Sequence, residues 1–271
     1  MAKIIGGIGE GLRGSLGDLS FYKMRGVEDT IVRTKGGFTK ERIKTDPKLE
    51  RLRLAESEFG GRAKAGKYIM KALMFQKPMA DYNIAGPLTK LLLPVQELDP
   101  EGDLGKRGIL LSMYSHVMKG FSLNKNNTLD TVMRYPLYFS LDRETASATV
   151  NVPELVPDIN FFVPAPVKYP YYRICVSLGI VPDMVYTESG YRPIHLGYET
   201  LAIGPAAVYT EWFPRLQGSP AQVLTIQHNF SPPDTHFTLL LAVGIQYGEL
   251  QGVNNIQRAP YVGCAKVVEV G

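Results

Sequence analysis

The spacing of apolar residues changes character near residue 122, and that change limits the folds open to this chain. Before it, Leu52, Ala55, Phe59, Ala63, Gly66, Met70 and Leu73 recur at helical intervals, with Leu49 ahead of them. Asp46-Pro47 supplies a helix start, with the aspartate as cap and proline in the first turn. Gly60-Gly61 predicts a break or kink in that helix. A second helical stretch is expected after Pro87. A third is expected over 101–119, carried by Ile109, Leu110, Met113, Val117 and Phe121. After Ser122, Pro and Gly punctuate short segments rich in Val, Ile, Thr, Tyr and Phe. Predicted strands cover 137–141, 146–152, 171–178, 184–187, 208–213, 223–228, 237–246 and 262–268. About eight strands between turn signals point to an antiparallel β-sandwich or barrel. The expected class is α+β, with a helical region at 46–121 and a β-domain at 122–271.

Residues 1–45 form a third stretch. Gly6, Gly7, Gly9, Gly11, Gly14 and Gly17 make its beginning permissive and costly to order. Leu19 to Met24 and Thr30 to Thr34 then flank a Gly-containing loop and read as a β-hairpin. A lone hairpin is marginal in water, so it needs a sheet or a partner. Charge is lopsided too. Residues 1–77 carry 17 basic and 9 acidic side chains, a net of +8, against 13 and 17 in the remainder, a net of −4. A solvated helix face is the plainer account. Docking of the basic head on the acidic body of another copy is the alternative. Nucleic acid is disfavoured as a partner because Glu41, Asp46, Glu50, Glu56 and Glu58 interrupt the basic run, and no helix-turn-helix or zinc pattern accompanies it.

At 271 residues and 45% hydrophobic content, the chain can bury a large core. Its longest apolar run, Phe237 to Ile245, falls well short of the roughly 20 residues of a membrane-spanning helix. The opening Met-Ala-Lys-Ile-Ile-Gly-Gly lacks the pattern of a secretory signal, so cytoplasmic synthesis without membrane insertion is expected. Cys175 and Cys264, in apolar strand-like contexts, read as buried free thiols.

Chemistry-bearing motifs are sparse. Gly9 to Gly14 matches the dinucleotide fingerprint, but no buried strand precedes it and no helix opening follows, so no cofactor is expected. His116, His195, His228 and His236 form no pair at metal-ligand spacing; His228 and His236 flank a Pro-Pro-Asp connection in which Asp234 would be a third ligand. No nucleophile elbow or phosphate-loop lysine appears, and the chain reads as a non-enzyme. Aromatic residues crowd 169–212, and Tyr171, Tyr191, Tyr198 and Trp212 are the candidate ligand face for a glycan or protein.

The run Gly11-Leu12-Arg13-Gly14-Ser15-Leu16-Gly17-Asp18-Leu19-Ser20-Phe21-Tyr22-Lys23-Met24-Arg25-Gly26, with Ile31-Val32-Arg33 after it, resembles the opening of uncharacterised proteins common in Bacteroidota, a family of domains of unknown function. Asp46-Pro47 resembles the helix start of those proteins. The likeness covers the first 50 to 75 residues. It departs at the glutamine usual in that helix, where Glu50 and Arg51 stand, and in a longer helical insert. It implies an N-terminal module fused to a β-domain and carries no catalytic residues. The expected function is structural: a self-assembling subunit of a filament, tube or phage-like particle, released as an assembly. Phe21, Tyr22, Met24, Ile31, Val32 and Arg33 would add to a neighbouring copy. The alternatives are a glycan- or protein-binding β-sandwich and an enzyme of unrecognised type.

Overall fold

Strand-forming residues run through both ends of the chain and helix formers through its middle, and the computed structural model is α+β as expected. It describes residues 2–4, 12–24, 27–164, 168–199, 204–252 and 255–271. Two compact units result, Met1–Arg53 and Leu54–Gly271.

In the first unit, β1 (Ala2–Ile4), β2 (Gly14–Leu16), β3 (Leu19–Tyr22) and β4 (Thr30–Thr34) form an antiparallel sheet in the order β1-β4-β3-β2. The predicted hairpin is the β3–β4 pair, with Phe21 opposite Val32 and Tyr22 opposite Ile31. Sequence reading missed β2, which pairs Leu16 with Leu19 across a turn whose Gly17 has φ +53°. Gly6, Gly7, Gly9 and Gly11 of the expected arm, and Arg25-Gly26 of the hairpin loop, lie outside the described residues. Helix α1 (Lys40–Thr45) starts at Thr39, whose hydroxyl accepts from the Arg42 N–H at 3.2 Å. Asp46 then caps a short 3-10 turn, Pro47–Leu49, by accepting from the Lys48 N–H at 3.0 Å.

Helix α2 (Glu50–Ala72) continues from that turn and is unbroken at Gly60-Gly61, contrary to expectation. Gly61 is there for close approach instead: a Cβ on it would stand 2.8 Å from the ring of Tyr191. Helix α3 (Ala85–Glu97) is the second predicted helix. The third, over 101–119, does not form. Two 3-10 turns, Leu111–Met113 and Ser115–Met118, take part of its place. Gly105 lies at φ +92°, and Ile109 exchanges backbone hydrogen bonds with Met184 at 2.7 and 3.0 Å. Pairing with a distant strand has replaced the local helical ladder.

Helix α4 (Leu129–Val132) precedes the strands β5 (Tyr138–Asp142), β6 (Ser147–Val152), β7 (Tyr171–Pro182), β8 (Met184–Thr187), β9 (Gly190–Pro193), β10 (Ala206–Tyr209), β11 (Phe213–Pro214), β12 (Gln222–Gln227), β13 (Phe237–Gln251) and β14 (Asn255–Val270). The large sheet runs β10-β7-β13-β14, with β11 also on β7. The small one runs β12-β6-β5, and β8 pairs with β9. Ile174, Val176 and Leu178 on β7 and Leu241 on β13 meet Val150 and Ile226 of the small sheet in one buried cluster. The other face of the large sheet, through Leu240, Ala242 and Val267, buries Ile69, Leu73 and Leu88 of the helical region. Helices and strands therefore share one unit. Each such aliphatic side chain removed from water contributes about 1.5–3 kcal/mol.

Alternation explains this double packing, since successive side chains of a strand point to opposite faces. Gly179 of β7 faces the helices, and a Cβ there would lie 2.6 Å from the Cβ of Ala72. Gln76, fully buried, donates to the Cys175 carbonyl at 3.0 Å, the Ser177 hydroxyl at 3.0 Å and the Ala242 carbonyl at 3.2 Å. Cys175 and Cys264 are free, buried thiols, each pushed up to about 12 by burial. No helix among the described residues is long and apolar enough to cross a membrane.

Candidate functional site

Residues directly opposite in an antiparallel pair share a face of the sheet. The registers of β2, β3 and β4 therefore put Leu16, Leu19, Phe21 and Val32 on one face of the N-terminal sheet. Leu16 is 70% exposed and Leu19 38%, while Phe21 and Val32 are half-buried. Tyr22, Ile31 and Arg33 occupy the opposite face, where the Arg33 guanidinium lies 5.7 Å from the Tyr22 ring centre. Met24, beyond the end of β3, is exposed. Five of the six candidate assembly residues thus divide between two faces, and Met24 lies outside the strands. Sequence reading missed Leu16, because a three-residue strand between glycines carries little periodicity.

Among the described residues of this unit, Thr30 and Ile31 are the buried ones. That is little buried apolar surface for such a sheet, since three or more strands still need a hydrophobic face for independent stability. Strands β1 and β2 are the outer strands, each paired on one side among the described residues. An outer strand edge offers backbone N–H and C=O groups to another strand.

The four aromatic candidates do not make one exposed face. Tyr191 is buried, and its hydroxyl donates to the Arg107 carbonyl at 2.9 Å. Tyr198 is fully buried, and its hydroxyl donates to Asp234 at 2.8 Å. Tyr171 and Trp212 are half-buried, and the Arg173 guanidinium stacks 4.5 Å from the Trp212 ring and 4.2 Å from that of Tyr209.

One pocket gathers groups that sequence reading did not assemble. Asp183, fully buried, accepts from the Ser112 N–H at 2.8 Å and from the Ser112 hydroxyl. His236 Nδ1 stands 3.9 Å from its Oδ2. Burial raises the Asp183 carboxyl above the usual aspartate value, and the Ser112 hydrogen bonds oppose that shift. The pocket measures about 500 Å³ and is lined by Asp183 and His236 together with Asp99, Glu101, Lys106 and Tyr186, whereas Ser112 holds Asp183 without being part of that lining. Its walls come from four separate segments, so no local motif announces it. His228 is buried elsewhere, accepting from the Phe230 N–H at 3.0 Å, and burial lowers its pKa. Among the described residues, no three His, Cys, Asp or Glu side chains are grouped to hold a metal ion.

Comparison of the chain with protein-family models, with curated proteins and with solved structures finds no match.

Proposed function

We propose that this protein is a structural subunit that assembles with copies of itself, and that its N-terminal sheet adds to a sheet of a neighbouring copy. The observation that carries this reading is the exposed apolar face of Leu16 and Leu19, beside half-buried Phe21 and Val32, on a sheet whose outer strands are each paired on one side among the described residues. A second copy suits both features. An added strand satisfies the edge amides and carbonyls, and its alternate side chains cover the leucines. A head-to-tail contact of this kind extends into a filament when its rotation does not close.

Light scattering of the full-length chain and of the Leu16→Glu/Leu19→Glu variant tests the reading. Large particles are expected for the unsubstituted chain and a monomer for the variant, with cooperative unfolding of the Leu54–Gly271 unit kept in both. Equal particle size in the two proteins, or a monomer in both at high concentration, overturns it.

A second reading, an enzyme, is favoured by the Asp183 pocket alone. A buried carboxyl beside a histidine and a serine hydroxyl is a set of groups from which acid–base chemistry is built. The glycan reading has less support, since burial of Tyr191 and Tyr198 removes two rings from any shared binding face.

A further inference from the structure

A different pocket concentrates positive charge. Lys64, Lys67 and Lys71 follow one another along α2 at intervals of three and four residues, so they line one face of the helix. That face forms one wall of a pocket of about 390 Å³ whose other side carries Tyr191 and Arg192 of β9. Three lysines and one arginine thus meet one carboxylate, Glu199. Lys64 Nζ donates to the Tyr191 carbonyl at 2.9 Å, which fixes its direction. Lys67, Lys71 and Arg192 have no carboxylate partner among the described residues. Glu199 acts on the neighbouring Tyr68: after burial, its charge is the second cause that raises the Tyr68 hydroxyl.

Like charges three and four residues apart on a helix repel, and among the described lining residues Glu199 offsets one of the four positive charges. We infer that this pocket binds a compact polyanion of the di- or triphosphate class. Lysine holds phosphate as a point charge, and arginine holds it through paired N–H groups. The seven residue steps from Lys64 to Lys71 rise about 10 Å along the helix, the span of a short phosphate chain and not of a nucleic-acid duplex. Buried Tyr191 and Pro193 form an apolar floor that keeps the bound charges from being fully hydrated. The site is independent of the proposed assembly sheet.

Calorimetric titration of the full-length protein with inorganic tripolyphosphate at low salt tests the inference, with orthophosphate and duplex DNA as separate arms. One tripolyphosphate is expected per chain, bound more tightly than orthophosphate and weakened by added salt. The Lys67→Ala/Lys71→Ala variant and the Arg192→Gln variant should each bind about tenfold more weakly or worse. These side chains lie at the helix and hairpin surface, so circular dichroism should show an unchanged fold. Lys77→Ala/Lys90→Ala removes the same charge outside the pocket and should bind as the unsubstituted protein does. The inference is overturned if tripolyphosphate fails to bind at millimolar concentration, if the control pair weakens binding equally, or if duplex DNA binds and tripolyphosphate does not displace it.

Discussion

Gly61 lies flat against the ring of Tyr191, so close that a Cβ at this position would stand 2.8 Å from three ring carbons. The next residue back, Gly60, has nothing within 4 Å of where a Cβ would stand. Two adjacent glycines in one helix therefore have opposite roles. Alanine favours a helix over glycine by about 1 kcal/mol. Gly60→Ala should raise stability by about 0.5–1 kcal/mol. Gly61→Ala should lower it by about 1–3 kcal/mol, because the Tyr191 ring is held by its own hydrogen bonds and must shift. Urea midpoints of the two variants check this, and a gain at both positions would show that the ring yields freely.

Glu58 is 4% exposed and is held by both ends of a two-pronged pair: Arg107 Nε to Oε1 at 2.6 Å and Nη2 to Oε2 at 2.8 Å. The Gly105 N–H adds a third bond at 2.9 Å. The Arg107 hydrogen bond lowers the Glu58 pKa below the usual 4.5, against the opposing effect of burial. A depressed carboxyl contributes stability that is complete above its unfolded value and is lost as pH falls through the folded one. Glu58→Gln should cost about 3 kcal/mol at neutral pH, because Arg107 then keeps a half-buried charge without its partner. The deficit should shrink as pH falls below about 4. Urea titrations of both proteins at several pH values measure it.

Asp183 carries the opposite sign. Its folded pKa is raised, so its contribution is complete below the ordinary aspartate value and is lost as pH rises through the folded one. Asparagine can still accept from the Ser112 N–H without ionising. The stability of Asp183→Asn relative to the unsubstituted protein should therefore improve as pH rises from about 4 towards neutrality. A gap independent of pH would mean that Asp183 titrates as an ordinary carboxyl.

Much of the fold was legible because alternation and helical spacing are local signals. Strands β6, β8 and β12 begin and end within a residue or so of their predicted bounds. Strand β7 runs on to Pro182, because it packs on both faces and shows a continuous apolar run in place of alternation. The segment 101–119 carries helical spacing in Ile109, Leu110 and Met113, yet backbone bonds to Met184 prevail there. Local periodicity holds no information about such a partner. The same limit hid the two pockets. Asp183 and Ser112 are 71 residues apart in sequence, and Lys64 lies 127 residues before the Tyr191 carbonyl it reaches. The aromatic crowd at 169–212 was visible as composition, but which rings point inward depends on sheet packing.

The central position of β13 in the large sheet has a consequence for biosynthesis. It lies between β7 and β14, yet it leaves the ribosome more than fifty residues after β7. During that interval the edge of β7 that later receives β13 is an unoccupied rim, and nascent chains with unpaired strand edges stick to one another. Translation speed through the region 183–236, and protection by a ribosome-bound chaperone, should thus govern how much correctly formed protein a cell obtains.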